Sequence, residues 1–113
     1  MQLEKEMITP HQTILLRPKP RLENVGQLKQ ELEILQREGY QQVLIDLLHL
    51  DWVDSKEIGA LLMSVKMLMK AHIRLGLLVE APLLLTTLQT TGIDQLIPIY
   101  PSKEKALAAL GQG

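Results

Sequence analysis

The segment Val43–Leu62, VLIDLLHLDWVDSKEIGALL, decides the predicted fold. It begins with a continuous apolar run that ends in Asp46, a pattern typical of a strand buried on both faces. After a short turn, Asp54 and Ser55 open a long stretch with apolar residues at helical spacing. The segment therefore predicts a central strand, a turn and a helix, with the Ser55 hydroxyl at the carboxyl end of the strand.

The start of this helix carries its own sequence signature. Asp54 and Glu57 form an N-terminal capping pattern, because each side chain can accept a hydrogen bond from the other's backbone N–H. Val53 and Ile58 occupy the flanking positions of a hydrophobic staple. We expect the helix to run to about residue 71. Its predicted core face consists of Ile58, Leu61, Leu62, Val65, Leu68 and Met69.

Strand and helix patterns alternate along the rest of the chain. The predicted strands are Leu3–Ile8, Gln12–Arg17, Gln42–Leu47, Arg74–Val79 and Ile97–Tyr100. The other predicted helices are Leu22–Glu38, Pro82–Thr91 and a final helix that Ser102 caps and that reaches Leu110. Pro18 and Pro20 should stop the second strand, because proline cannot donate to a sheet ladder. The alternation predicts an α/β fold, a mixed sheet of about five strands packed with about four helices. We expect one domain over residues 1–113, with a core from about 12 to 110.

Composition excludes several classes of function. The chain has 113 residues, no cysteine and a net charge of −1, so disulfides, thiolate metal sites and a broad basic field for nucleic acid are excluded. Aromatic residues make up 3% of the chain, which argues against base-stacking platforms. The first residues, MQLEKEM, lack the apolar core of a secretory signal, and no apolar run reaches the length of a membrane span. We expect a soluble cytoplasmic protein that does not insert into membranes.

Several motifs in order resemble the STAS domain family. Ile45-Asp46-Leu47, Asp54-Ser55 and Ile58-Gly59-Ala60-Leu61-Leu62 are similar to the family's strand end and helix start, while Leu88–Asp94 and Tyr100–Ser102 resemble its closing segments. The resemblance spans roughly residues 12–110. It implies a non-catalytic signalling domain of the bacterial anti-sigma-factor-antagonist type, with no cofactor. Such a domain binds an anti-sigma factor or a serine switch kinase and thereby regulates transcription.

The resemblance also makes Ser55 a candidate phosphorylation site. Many relatives carry the phosphorylated serine where this chain has Lys56, followed by a glycine where it has Glu57. Other relatives carry it directly after the aspartate, as Ser55 is here. Glu23 lies loosely near a position where many relatives carry an aspartate. Two alternatives stay open: Ser55 is only a first-turn residue beside the cap, or the chain is a constitutive subunit of a transporter of the lipid-transport ABC type, without a phosphoswitch.

One face of the long helix is a candidate partner surface. At about 100° per residue, Lys56, Ala60, Met63, Met67 and Lys70 lie opposite the predicted core face, and methionine suits adaptable binding surfaces. Alternatively, another segment or a second copy of the chain, in a homodimer, covers the methionines. Trp52 either anchors a contact or closes the core. The predicted partner-binding residues are Trp52, Asp54, Ser55, Lys56, Ala60, Met63 and Met67.

We predict neither a catalytic nor a metal-binding residue. Asp51 and Asp54 are interpreted as a turn aspartate and a helix cap rather than a carboxylate pair. A triad of Ser55, His49 and Asp51 lacks the glycine-flanked elbow that exposes a hydrolase serine. The three histidines, His11, His49 and His72, have no metal-ligand spacing.

Overall fold

The computed structural model describes residues 1–8, 12–22 and 24–110, so His11 and Glu23 lie outside the described residues. The strands are β1 (Gln2–Ile8), β2 (Thr13–Lys19), β3 (Gln42–Asp46), β4 (Arg74–Leu78) and β5 (Ile99–Tyr100), and the helices are α1 (Val25–Arg37), α2 (Ser55–Lys70), α3 (Pro82–Thr91) and α4 (Lys103–Leu110), with a 3-10 turn at Ile93–Gln95. Within these ranges, none of the helices combines the length and apolarity needed to cross a bilayer.

The strands form one mixed sheet in the order in which they occur along the chain. β1 pairs with β2 antiparallel, and β2, β3, β4 and β5 follow as parallel neighbours. The predicted class, a mixed α/β sheet of five strands packed with four helices, is confirmed for the described part of the chain. Because the carboxyl ends of the parallel strands meet at one edge, the loops that follow them lie together there. We call this the carboxyl edge.

The two faces of the sheet are covered unequally. Side chains alternate along β3, so Val43 and Ile45 face one side and Leu44 faces the other. The first side packs against the buried leucines of α1, α2 and α3. The second side is covered by α4, through Ala106 and Leu110. This division follows from right-handed connections between successive parallel strands, which place α1, α2 and α3 on the same side.

The structure corrects the predicted end of the second strand. Pro18 does not stop β2, which continues to Lys19. Pairing with β3 ends at Leu16, whereas pairing with β1 continues to Lys19. Beyond Leu16 the strand therefore has β1 as its one sheet neighbour, and a proline is tolerated there because the donor it lacks is not required on the β3 side.

The predicted start of the first helix is also wrong. α1 begins at Val25, because the Asn24 side chain accepts a hydrogen bond from the Gln27 backbone N–H at 2.9 Å and caps the helix. Leu22 matches the apolar period and is buried in the core, but it lies in the loop before the helix. Apolar spacing alone therefore placed the boundary too early.

The β1–β2 pair leads us to expect a dependence of stability on pH. The hydrogen bond from Arg17 holds the pKa of Glu4 below its ordinary value of 4.5. The unfolded chain therefore protonates first, so this stabilisation is complete above about pH 4.5 and is lost as the pH falls through the lower folded-state pKa. Urea unfolding at pH 7 should show Glu4→Gln to be less stable than the wild type, and the difference should shrink as the pH falls below 4.5. Parallel pH profiles would contradict this.

Candidate functional site

The junction between β3 and α2 is built as a capped helix start. The Asp54 side chain accepts a hydrogen bond from the Glu57 backbone N–H at 2.8 Å, and Glu57 Oε1 accepts one from the Asp54 backbone N–H at 2.9 Å. The predicted capping box is therefore confirmed. The Asp54 carboxylate serves this cap. Ser55 is the first residue of α2 and is exposed at the carboxyl edge.

Glu57 has a second partner that the sequence analysis missed. Its carboxylate is buried, with 3% of the residue exposed, and Oε1 lies 2.7 Å from Nη2 of Arg21. Arg21 Nη2 also donates to the Trp52 carbonyl oxygen at 2.7 Å, and its guanidinium carbon lies 4.0 Å from the centroid of the Trp52 ring. We call Arg21, Trp52 and Glu57 the Arg21 clamp. It joins the loop after β2 to the loop after β3 and to the first turn of α2.

The clamp fixes the position of Trp52. The residue is 48% exposed, so the interpretation that it closes the core is wrong. A guanidinium over an indole face is attracted to the ring electrons, and the bond to the Trp52 carbonyl holds its backbone as well. Arg21 follows β2 and Glu57 follows β3, and the carboxyl ends of these parallel strands meet at one edge of the sheet. The order of strands and loops is therefore the one feature of the sequence that could have predicted their contact.

Asp46, at the end of β3, organises the same edge from the other side of the sheet. The residue is 3% exposed, and its Oδ2 accepts a hydrogen bond from Arg17 Nε at 2.8 Å. Its Oδ1 accepts one from the Leu48 backbone N–H at 2.9 Å, which shapes the start of the loop after β3. The hydrogen bond that Arg17 donates to Asp46 also raises the pKa of Arg17. Asp46 is thus a structural residue that ties the loop to β2.

The two histidines that the structure describes lie at opposite edges of the sheet. His49 Nε2 lies 2.8 Å from the Pro18 carbonyl oxygen, so this nitrogen acts as a donor. His72 follows α2 and precedes β4, which places it at the opposite edge of the sheet from Ser55. In the described ranges, no group of three or more histidine, aspartate or glutamate residues is arranged to hold a metal ion.

The buried arc of α2 differs from the predicted one. Ala60 was expected on the exposed face, but it is 0% exposed and lies in the core, whereas Met69 was expected in the core and is 54% exposed. The arc is rotated by less than one residue step of about 100°. Two polar residues explain the rotation. Glu57 is buried by its ion pair with Arg21, and the Ser64 hydroxyl is buried by donating to the Ala60 carbonyl oxygen at 2.8 Å.

The other residues predicted on this face lie at the surface. Lys56 and Lys70 are exposed, and Met63 and Met67 are partly buried. The surface forms a shallow apolar depression of about 1040 Å³ beside Lys29 of α1. We call its α2 residues the α2 outer face: Gly59, Leu62, Met63, Lys66, Met67, Met69 and Lys70.

Gly59 in this face offers a direct test of the helix geometry. A Cβ atom at Gly59 would meet nothing within 4 Å, so alanine fits without a clash. Because glycine in a helix interior is destabilising, we expect Gly59→Ala to raise the free energy of unfolding by about 0.5–1 kcal/mol in urea titrations. The control is Gly39→Ala, which also meets open space but should destabilise, because Gly39 has φ +86°. A lower free energy of unfolding for Gly59→Ala than for wild type would contradict the position of Gly59 in the helix interior with open space around its Cβ.

These features define a class of protein: an α/β domain with one mixed sheet covered on both faces by helices, and an exposed serine in the first turn of a capped helix at the carboxyl edge. A family model described as the STAS domain matches residues 21–106, and the chain belongs to this family. A comparison with curated protein sequences finds no match.

Solved structures show the same fold at low sequence identity. A proposed anti-sigma factor antagonist from Thermotoga maritima has a TM-score of 0.82 and 18% identity, over 95% of this chain and 92% of that one. An anti-sigma-factor antagonist (STAS) domain protein from Planctomyces limnophilus has a TM-score of 0.77 and 22% identity, over 96% of this chain and 97% of that one. The phosphorylated form of the Bacillus cell fate determinant SpoIIAA has a TM-score of 0.73 and 20% identity, over 96% of this chain and 99% of that one.

Proposed function

We propose that this domain is a non-catalytic, cytoplasmic antagonist in bacterial transcription control that binds an anti-sigma factor or a serine switch kinase. Binding centres on Ser55, and phosphorylation of Ser55 releases the partner. The observation that carries the proposal is the exposed position of Ser55 at the first turn of α2, beside the half-exposed Trp52. Membership of the STAS family and a structural relative described in a phosphorylated form support it.

Exposed apolar side chains at the carboxyl edge support a protein partner. Leu48 and Trp52 are exposed in the loop after β3, Val25 begins α1, and Leu83 lies in the first turn of α3. All four follow the ends of parallel strands and therefore share the edge with Ser55. Apolar groups gathered on one surface commonly mark a contact with another protein.

Phosphate at Ser55 is compatible with the fold. The kinase would transfer the γ-phosphoryl group of ATP to Ser55 Oγ, with loss of the hydroxyl proton and release of ADP. The modified side chain gains about −1.5 to −2 charges. Free N–H groups and the positive end of the α2 dipole accommodate that charge, so the modification alters docking without unfolding the helix.

The proposal is tested with the full chain and a purified anti-sigma factor or serine kinase encoded beside its gene. Calorimetry should show that Ser55→Ala keeps the wild-type affinity and that Ser55→Glu weakens binding tenfold or more. Thr86→Glu, which adds the same charge at an exposed hydroxyl position of α3, is the matched control and should bind normally. Intact-mass measurement after incubation with the kinase should show one added phosphate in wild type and none in Ser55→Ala.

Two results would overturn the switch. One is equal affinity of wild type and Ser55→Glu for the partner. The other is undiminished phosphorylation of Ser55→Ala. Tight binding of a transporter's nucleotide-binding subunit by wild type and Ser55→Glu alike would instead establish the constitutive subunit, the other function that the family contains.

A further inference from the structure

The α2 outer face is an apolar strip bounded by positive charge. Leu62, Met63, Met67 and Met69 supply apolar surface. Lys66 and Lys70 project from the same face of α2, and Lys29 lies across from them on α1. All three lysines are exposed. The surface thus combines an apolar floor with a cationic border.

These lysines are free of ion pairs within the described part of the chain. The ion pairs found there use Lys5, Arg17, Lys19, Arg21 and Lys103. Glu57, the acid on α2, is buried and paired with Arg21. Among the described residues, therefore, no ion pair neutralises the positive charge beside the strip.

The charges decide between a second copy of this chain and a different partner. If two copies packed through this face, Lys29, Lys66 and Lys70 of both copies would be brought together in one interface. Like charges placed together in an interface repel each other and disfavour the complex. A partner with acidic residues beside its apolar contacts would instead be attracted by these lysines. The face therefore fits a negatively charged partner better than a homodimer.

The shape of the strip fits a helix. From Gly59 to Lys70 it extends over roughly 16 Å at a rise of about 1.5 Å per residue, which matches about three turns of a partner helix. Gly59 has no side chain, and a Cβ atom there would meet nothing within 4 Å, so a second helix can approach α2 closely at this point. Methionine side chains adapt to different apolar surfaces. Grooves of this kind bind the apolar face of amphipathic helices.

We propose that the α2 outer face binds an acidic amphipathic helix of the partner, with apolar side chains on the strip and carboxylates at Lys29, Lys66 and Lys70. This inference rests on the proposed function and adds the chemistry of the docking segment. Ser55 lies four residues before Gly59, on the same side of α2. Phosphate there adds negative charge at the end of the strip, so it repels an acidic helix.

The test measures binding of designed helical peptides to the full chain by NMR titration. One peptide carries leucines on one face flanked by glutamates, a second has lysines in place of the glutamates, and a third is a scrambled acidic sequence. Only the acidic amphipathic peptide should shift the amide signals of residues 59–70 and Lys29. The double variant Lys66→Glu/Lys70→Glu should bind the acidic amphipathic peptide tenfold or more weakly than wild type. It should also bind the lysine peptide, which wild type does not.

Matched variants separate docking from misfolding. Lys105→Glu makes the same change of charge at an exposed position of α4, away from the strip, and should bind like wild type. Gly59→Gln adds bulk at a position where a Cβ meets open space, so the variant should fold normally. Its affinity for the acidic peptide should fall tenfold or more. The acidic peptide should also bind Ser55→Glu more weakly than Ser55→Ala.

Two outcomes would overturn the inference: no shifts from the acidic peptide at 1 mM, or equal binding of all three peptides. The proposed function would survive either result if the cognate partner still binds through Ser55 and Trp52. Conversely, peptide binding at the strip with no effect of Ser55→Glu on the cognate partner would leave the docking surface in place and remove the phosphoswitch.

Discussion

Replacing Arg21 with alanine is expected to lower the free energy of unfolding by about 2–3 kcal/mol. The change leaves the buried Glu57 carboxylate without its ion pair, and removal of one partner of a buried pair commonly costs about 3–5 kcal/mol. Arg21 itself is partly exposed, with 29% of its side chain accessible, so we expect a smaller effect. Glu57 Oε2 is already buried without a hydrogen-bond partner, which leaves this carboxylate little other stabilisation.

The clamp also predicts a local signal. Trp52 is the one tryptophan of the chain, so its fluorescence reports directly on this loop. Arg21→Ala should lower the fluorescence anisotropy of Trp52 and change its emission in the folded protein. Arg21→Lys keeps the charge but cannot bond the Trp52 carbonyl and Glu57 with the same planar group, so it should restore only part of the stability. Unchanged stability and anisotropy in Arg21→Ala would show that the clamp is not formed.

A double-mutant cycle assigns the energy to the ion pair. Glu57→Gln keeps an oxygen that can accept the hydrogen bond from the Asp54 backbone, but it removes the buried charge. If the Arg21–Glu57 pair dominates, Arg21→Ala should cost much less in the Glu57→Gln background than in wild type. Strict additivity of the two changes would contradict that account, because contacting residues that interact are non-additive.

Asp46→Ala is expected to cost about 2–4 kcal/mol of unfolding free energy. The substitution removes the acceptor of the Leu48 backbone N–H and the charged partner of Arg17 at once, in a buried position. Asp46→Asn should cost less, because its carbonyl oxygen can keep the bond to Leu48. Urea unfolding at neutral pH gives both values. A loss below about 1 kcal/mol for Asp46→Ala would mean that water replaces these bonds at little cost.

Features that depend on residues close together in the sequence could be predicted. Features that depend on a contact with a distant residue could not. The Asp54–Glu57 capping box depends on residues three positions apart, so its pattern was sufficient. The burial of Glu57 depends on Arg21, which the sequence places far away. Because Glu57 and Ser64 are polar, they were not predicted to be buried. The predicted core face of α2 was therefore rotated away from the observed one, and Ala60 was wrongly placed on the exposed face. Ser55 at the carboxyl edge could be predicted, because strand direction and loop order determine it.

The strand order described above has a consequence for the kind of ligand this fold accepts. In sheets whose order reverses, neighbouring connections leave to opposite faces, and the crevice that opens between them holds small molecules. Across the described residues of this chain, β2 to β5 advance without reversal, so no such switch point separates the loops around Ser55. The loops at the carboxyl edge therefore form one continuous rim, the shape that the proposed contact with a protein would need.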